Sequence, residues 1–170
     1  MRYLKGTKDY MLTYKHVNCL EVVGYSDSDF VGCQESRKSI LGYVYLLANG
    51  AISWKSAKET IIASSTMEAE FIACFEATSQ AIWLRNFIIG LRNVDSISRP
   101  LKVYCDNSTA VLFSNNNKSG NRSTHIDIKY LAIRDRVKKQ EVNIEHVSTD
   151  MMIADPMTKC LSVKVFSKHV

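Results

Sequence analysis

Apolar and polar positions along this chain change period several times, and each change marks an element. Leu20 to Ser26 (Leu-Glu-Val-Val-Gly-Tyr-Ser) is rich in strand formers and runs straight into Asp27 and Asp29, predicting a strand that ends in acids. Leu41 to Leu47 and Ala51 to Lys55 are two further strand candidates, separated by Ala48-Asn49-Gly50. Asn-Gly between apolar runs is a strong hairpin signal, so the first three strands are expected to form an antiparallel meander. From Ser65 to about Leu91 the period becomes helical, with Ile72, Phe75, Ser79 and Ile82 three or four apart. Ser65-Thr-Met-Glu68 offers a capping box at its start, and Gly90 with Asn93 marks its end.

Leu101 to Cys105 alternates as a half-buried strand, and Asp106-Asn107-Ser108 supplies N-cap residues for a short helix through Phe113. Ser114 to Arg122 is a polar loop, His125 to Lys139 an amphipathic basic helix, Glu141 to Val147 a last strand, and Asp150 onward a helix interrupted by Pro156. The order is three strands, helix, strand, two helices, strand, helix. That order predicts an α/β domain with one mixed sheet and helices packed against it.

Composition narrows this without redirecting it. The 170 residues are one domain's worth, and 46% hydrophobic with 23% charged residues is ordinary globular usage. No apolar run is long enough to span a membrane and the first residues lack a signal peptide's apolar core, so the expected location is cytoplasm or nucleus. The five cysteines include no Cys-x-x-Cys pair and read as incidental thiols. The net charge is only +5, but Lys118, Arg122, Lys129, Arg134, Arg136, Lys138 and Lys139 crowd one stretch. Such a run is either a solvated helix face or a surface for a polyanion.

Four acids recur at element ends: Asp27, Glu68, Asp106 and Asp155. Taken singly, each has a bland role as a turn acid or helix cap. Taken together on neighbouring strand ends they form an oxygen-only cluster, which suits Mg²⁺ or Mn²⁺. At ~100° per residue, Glu68 lines up with Ile72, Phe75, Ser79 and Ile82, which directs Glu68 toward the sheet and Glu70 toward water.

These residues carry a resemblance. Tyr25-Ser-Asp-Ser-Asp-Phe30, Arg37-Lys-Ser39, Gly50-Ala-Ile-Ser-Trp-Lys55, Ser64-Ser-Thr-Met-Glu-Ala-Glu70, Ala81-Ile-Trp-Leu-Arg85, Tyr104-Cys-Asp-Asn107, His125-Ile-Asp-Ile-Lys-Tyr130 and Ile153-Ala-Asp-Pro-Met-Thr-Lys159 follow one another along essentially the whole chain. In content, order and spacing they resemble the ribonuclease H domain of Ty1/copia-type long-terminal-repeat retrotransposon Pol polyproteins, most like those of plants. Residues 1–14 resemble the segment joining such a domain to an upstream reverse transcriptase, leaving 15–170 as the ribonuclease H domain. The resemblance implies a ribonuclease H-like fold with a five-stranded mixed sheet. It also implies cleavage of the RNA strand of RNA–DNA hybrids with two Mg²⁺, for which Mn²⁺ can substitute. Asp27, Glu68, Asp106 and Asp155 fall on the family's metal-binding acids, and the reverse transcriptase of the parent polyprotein is the implied partner.

Hybrid contacts are expected from Arg37, Lys38, Ser39, Ser65 and Asn107 near the acids, and from Arg122, His125, Lys129 and Lys159 on the basic side. Cellular ribonucleases H carry a loop histidine shortly before the last acid, and Val147 to Ala154 contains none, which predicts slow turnover. Pro156, directly after Asp155, is expected to reorient that ligand. The competing reading is a catalytically weak or idle nucleic-acid-binding or interaction module. An integrase-type core is tempting because Asp106 and Glu141 are 35 positions apart, but Glu141 opens a period-2 segment where integrases need a helix. No His-paired signature supports a serine or cysteine nucleophile.

Overall fold

The computed structural model describes residues 5–6, 8–11, 13–14, 21–33, 35–91, 100–115 and 125–166. Its elements are β1 (Val22–Cys33), β2 (Lys38–Leu47), β3 (Gly50–Lys58), α1 (Thr66–Gly90), β4 (Leu101–Cys105), α2 (Ser108–Asn115), α3 (His125–Lys138), β5 (Val142–His146), α4 (Asp155–Thr158) and α5 (Val163–Phe166). The strands form one five-stranded sheet in the order β3-β2-β1-β4-β5. β1, β2 and β3 pair antiparallel, while β4 pairs parallel with both β1 and β5. The expected meander and mixed sheet are both present. Ala48 and Asn49 make the β2–β3 turn with φ of 53° and 64°, the left-handed pair that matches strand twist in a two-residue hairpin.

β1 is longer than its sequence pattern predicts. It does not stop before Asp27 but continues through Asp29 to Cys33, so Asp27 lies mid-strand, opposite Gly42 of β2. Ser-Asp-Ser-Asp reads as a turn by composition, yet the antiparallel partner Leu41-Ile40 extends the ladder past it. The register then shifts between Asp29 and Cys33, with Val31 at φ 56°, the signature of a bulge.

α1 crosses one face of the sheet. Ser65 is its N-cap, with an extended φ of −155° and a hydroxyl that accepts the Glu68 N–H. The residues it buries along the sheet-facing row are Glu70, Cys74, Ala77, Ala81, Leu84 and Ile88. The small Cys74, Ala77 and Ala81 at its centre let the helix axis approach closely, and Tyr45 fills the space beneath by donating its hydroxyl to the Ala77 carbonyl at 2.6 Å. The core on this side adds Val22, Tyr43, Val103, Val142 and Ile144. α2 and α3 close it through Phe71, Phe113 and Tyr130, whose rings meet at 4.2 to 6.0 Å.

The opposite face is covered by the chain after β5. Val44, Met152 and Ala154 form its buried centre, with Tyr25, Leu46 and Ile153 around them. The single helix expected after Asp150 is instead a 3-10 turn (Thr149–Met151) and two one-turn helices. Pro156, in the first turn of α4, opens that helix without interrupting one. Among the described residues no helix is long and apolar enough to cross a membrane.

Candidate active site

Parallel pairing of β1 with β4 aligns Ser26 with Cys105, which places Asp27 and Asp106 one residue further along neighbouring strands. α1 contributes a carboxylate to the same place, and it is Glu70. This reverses the expectation that Glu68 faces the sheet and Glu70 water. That expectation took Ile72, Phe75, Ser79 and Ile82 as the sheet-facing row, and of these only Ile72 is buried. The sheet selects the small row instead, leaving Phe75 and Ile82 half-buried and Ser79 exposed. Glu70 stands at the head of that row, only 7% exposed.

The Glu70 Oε1 accepts the Ser28 backbone N–H at 3.2 Å, and its Oε2 lies 3.8 Å from the Cys105 sulfur. Ligand atoms of Glu70, Cys105 and Asp106 all fall within 4.8 Å of one another. Burial first, and then Cys105, Asp27 and Asp106, push the Glu70 carboxyl up to about 10. Glu68, by contrast, turns back on the loop before the helix: its Oε2 accepts the Ser64 N–H at 2.7 Å and the Ser64 hydroxyl. It ties down the turn one residue before the Ser65 N-cap, where a capping box would use the Ser65 N–H itself.

Asp27 is fully buried. Its Oδ2 accepts the Thr158 hydroxyl, and its Oδ1 lies 3.2 Å from the Lys159 ammonium. The same ammonium is 3.1 Å from Asp155 Oδ1. Burial raises the Asp155 carboxyl above its ordinary value, with Asp27 and Asp106 adding to the rise. Against the downward push of burial, Asp27 and Asp155 hold the Lys159 ammonium above the usual lysine range. Asp106, half-exposed, accepts the Thr149 hydroxyl at 3.2 Å, and His146 Nε2 sits 3.1 Å from its backbone oxygen. Asp27, Glu70, Asp106 and Asp155 thus form one electrostatically coupled group, with Glu68 outside it. The Cys105 thiol is pushed upward by a hydrogen bond with Cys74 and by burial, which keeps it neutral.

A second buried acid lies behind the cluster. Glu59, just after β3, is 1% exposed and accepts the Ser28 hydroxyl at 3.3 Å; burial carries its carboxyl to about 7. Ser28 therefore contacts Glu70 through its backbone and Glu59 through its side chain. Neither Glu59 nor Thr158 stood out in the sequence, since no period or motif marks a residue whose role is to touch a neighbour of the site.

The expected hybrid contacts divide. Arg37 is exposed in the β1–β2 turn at φ 53° and Lys38 follows it half-buried. Ser39 turns inward, 1% exposed, and accepts the Val31 N–H at 3.4 Å, so it is not presented to a ligand. Ser65 caps α1, and the Asn107 side chain caps α2 by accepting the Ala110 N–H at 3.0 Å. Lys129 is drawn to Glu76 at 3.8 Å and over the Phe75 ring. Arg136 pairs with Glu141, Lys139 pairs with Asp135, and Arg134 is buried. Lys129, Arg136 and Lys139 are therefore answered by carboxylates of the protein itself, and Arg134 lies over the Tyr130 ring. Arg122 and the His125 side chain lie outside the described residues.

The fold is that of ribonuclease H. The chain superimposes on a compost-derived RNase H1 crystallised with an RNA/DNA hybrid at a TM-score of 0.56 and 17% identity, covering 81% of this chain and 94% of that one. It superimposes equally, at a TM-score of 0.56 and 13% identity, on an N-terminal RNase H domain from Mycobacterium tuberculosis, covering 89% and 99% of the two chains. By sequence the chain is homologous to a segment of Ty1/copia-type retrotransposon Pol polyproteins. It is 36% identical over 161 residues to the Pol polyprotein of transposon TNT 1-94 from Nicotiana tabacum and 34% identical over 168 residues to that of RE1 from Arabidopsis thaliana. These matches take in 94% and 98% of this chain but only 12% and 11% of the relatives' length. No protein-family model matches.

Proposed function

We propose that the chain is a ribonuclease H that hydrolyses the RNA strand of RNA–DNA hybrids with divalent-cation help, and that its cation ligands are Asp27, Glu70, Asp106 and Asp155. The observation that carries this reading is the convergence of four carboxylates from β1, α1, β4 and α4, three of them buried. Buried carboxylates repel unless something neutralises them. Burial above all, and then Cys105, Asp27 and Asp106, hold the Glu70 proton up to about 10. An all-oxygen donor set of this kind fits Mg²⁺ or Mn²⁺. Glu70 replaces Glu68 in the ligand set because the Glu68 carboxylate is spent on Ser64.

Asp27, Glu70 and Asp106 would hold one ion, and Asp27 with Asp155 the other. Such a pair of ions, when bound, acidifies an attacking water and compensates charge on the leaving 3′ oxygen. The protein's own residues do the rest. Ser28 N–H fixes the rotamer of Glu70, which releases its proton on taking up its ligand role. Thr158 holds Asp27 Oδ2, and Thr149 holds Asp106 Oδ2. Arg37 and Lys38 are placed to meet backbone phosphate at the rim. Ser65 and Asn107 remain candidates for the 2′-hydroxyl that distinguishes RNA from DNA, provided their caps open. The reverse transcriptase segment of a parent polyprotein, joined through residues 1–14, is the partner this reading implies.

Cleavage of a fluorescent hybrid with Mg²⁺ or Mn²⁺ tests the reading. We expect cation-dependent cutting of hybrid but not of duplex DNA, abolished by Asp106→Asn. Hybrid binding without cation-dependent cleavage would assign the chain to the idle-module alternative.

A further inference from the structure

Among the described residues, Lys159 is the sole cation paired with the acid cluster. Its ammonium is held between Asp27 Oδ1 and Asp155 Oδ1, at 3.2 and 3.1 Å. The clamp is built. Asp155 and Lys159 are four residues apart around α4, closed by the Lys159 N–H on the Asp155 carbonyl at 3.0 Å. The adjoining Thr158 occupies the other Asp27 oxygen. Among the described residues, both ion pairs to the cluster go to Asp27 and Asp155, and neither goes to Glu70 or Asp106.

We propose that Lys159 is a tethered stand-in for the second divalent ion. In the free domain its ammonium occupies the Asp27–Asp155 side, and an ion enters there only as Lys159 swings out. This rests on the ligand assignment made above. An ammonium and a hard cation seek the same carboxylate oxygens, and two positive charges a few ångströms apart exclude one another. Lys159 is suited to leaving: its side chain is one-third exposed and its four-carbon stem is flexible. Once displaced, it stands at the rim with a free charge where a phosphate arrives. The arrangement also keeps Asp27 from being a buried unpaired charge before metal binds.

Counting bound Mn²⁺ by the EPR signal of the free ion, without nucleic acid, tests this directly. The wild type should take one ion readily and a second much more weakly. Lys159→Met should tighten the second by about tenfold or more. Identical binding curves for the two proteins would overturn the proposal. Should Lys159→Met fail to fold metal-free, the wild type itself answers through lysine acylation read by mass spectrometry. Saturating Mn²⁺ should raise Lys159 labelling several-fold over that of Lys139, and unchanged Lys159 labelling would overturn the proposal. Asp106→Asn separates the two readings. It should weaken the first ion, and if it does not, the ligand assignment itself fails regardless of what Lys159 does.

Discussion

Asp27 lies directly across the β1–β2 ladder from Gly42, and the side chain Gly42 lacks is what lets α4 reach Asp27. A Cβ there would stand 2.7 Å from both Met157 Cβ and Thr158 Cγ2, too close for any real contact. Gly42→Ala should push α4 off the sheet and cost about 1 to 3 kcal/mol. The measurement is a thermal melt, and an unchanged Tm would refute the packing argument.

Glu70 and Glu68 separate cleanly by substitution. Glu70→Gln should lower hybrid cleavage by roughly 100-fold or more, since a ligand charge is lost. Glu68→Ala should leave cleavage close to wild type and cost about 0.5 to 2 kcal/mol of stability through the lost cap. Paired activity and denaturation measurements decide it. The reverse pattern would restore Glu68 to the site.

The metal-free domain should be most stable at mildly acidic pH. Glu59 and Glu70 carry folded-state values of about 7 and about 10 against an ordinary 4.5. Raised values mean that the native state holds protons the unfolded chain has released. Their contribution is complete below about 4.5 and is lost as pH climbs, through about 7 for Glu59 and about 10 for Glu70. Melts in chelator between pH 5 and 9 should show Tm falling, and Glu70→Gln should flatten the alkaline part of the curve. A Tm that rises over this range would contradict the burial of both acids.

Cys33 should be a fast-reacting thiol. Hydrogen bonds from Ser36, then Lys58, draw it down to about 7, so much of it is thiolate at neutral pH. Iodoacetamide at pH 7.5 should alkylate Cys33 several-fold more slowly in Lys58→Met than in the wild type. Equal rates would remove Lys58 as the cause.

Alternation and turn chemistry made the sheet legible in advance. β2, β3, β4 and β5 each carry apolar residues at strand spacing, and Asn49 marks the one tight hairpin. The long helix was legible too, since Ser65 caps it where its hydroxyl can be read from the sequence. Three things were not. Asp27 looks like the residue after a strand because its own neighbours are Ser and Asp, while its strand character comes from Gly42, fifteen positions on. The sheet-facing row of α1 is hidden because the bulky Ile72, Phe75 and Ile82 dominate a periodicity count, whereas close approach to a sheet rewards Ala77 and Ala81. Ser39 resembles a surface serine beside two cations, but its backbone oxygen accepts the Glu59 N–H, which folds it under the rim.

The contact between Thr158 and Asp27 spans 131 positions, joining the first strand of the sheet to one of the last turns of the described chain. Contacts of such long sequence separation form late, because the loop they close is costly until other contacts have shortened it. A chain cut between His146 and Asp155 would retain all five strands but lose Asp155 and leave Asp27 without its hydroxyl and ammonium partners. Under the proposed ligand assignment, the Asp27–Asp155 side of the site is therefore incomplete until the segment carrying Asp155, Thr158 and Lys159 docks on the sheet.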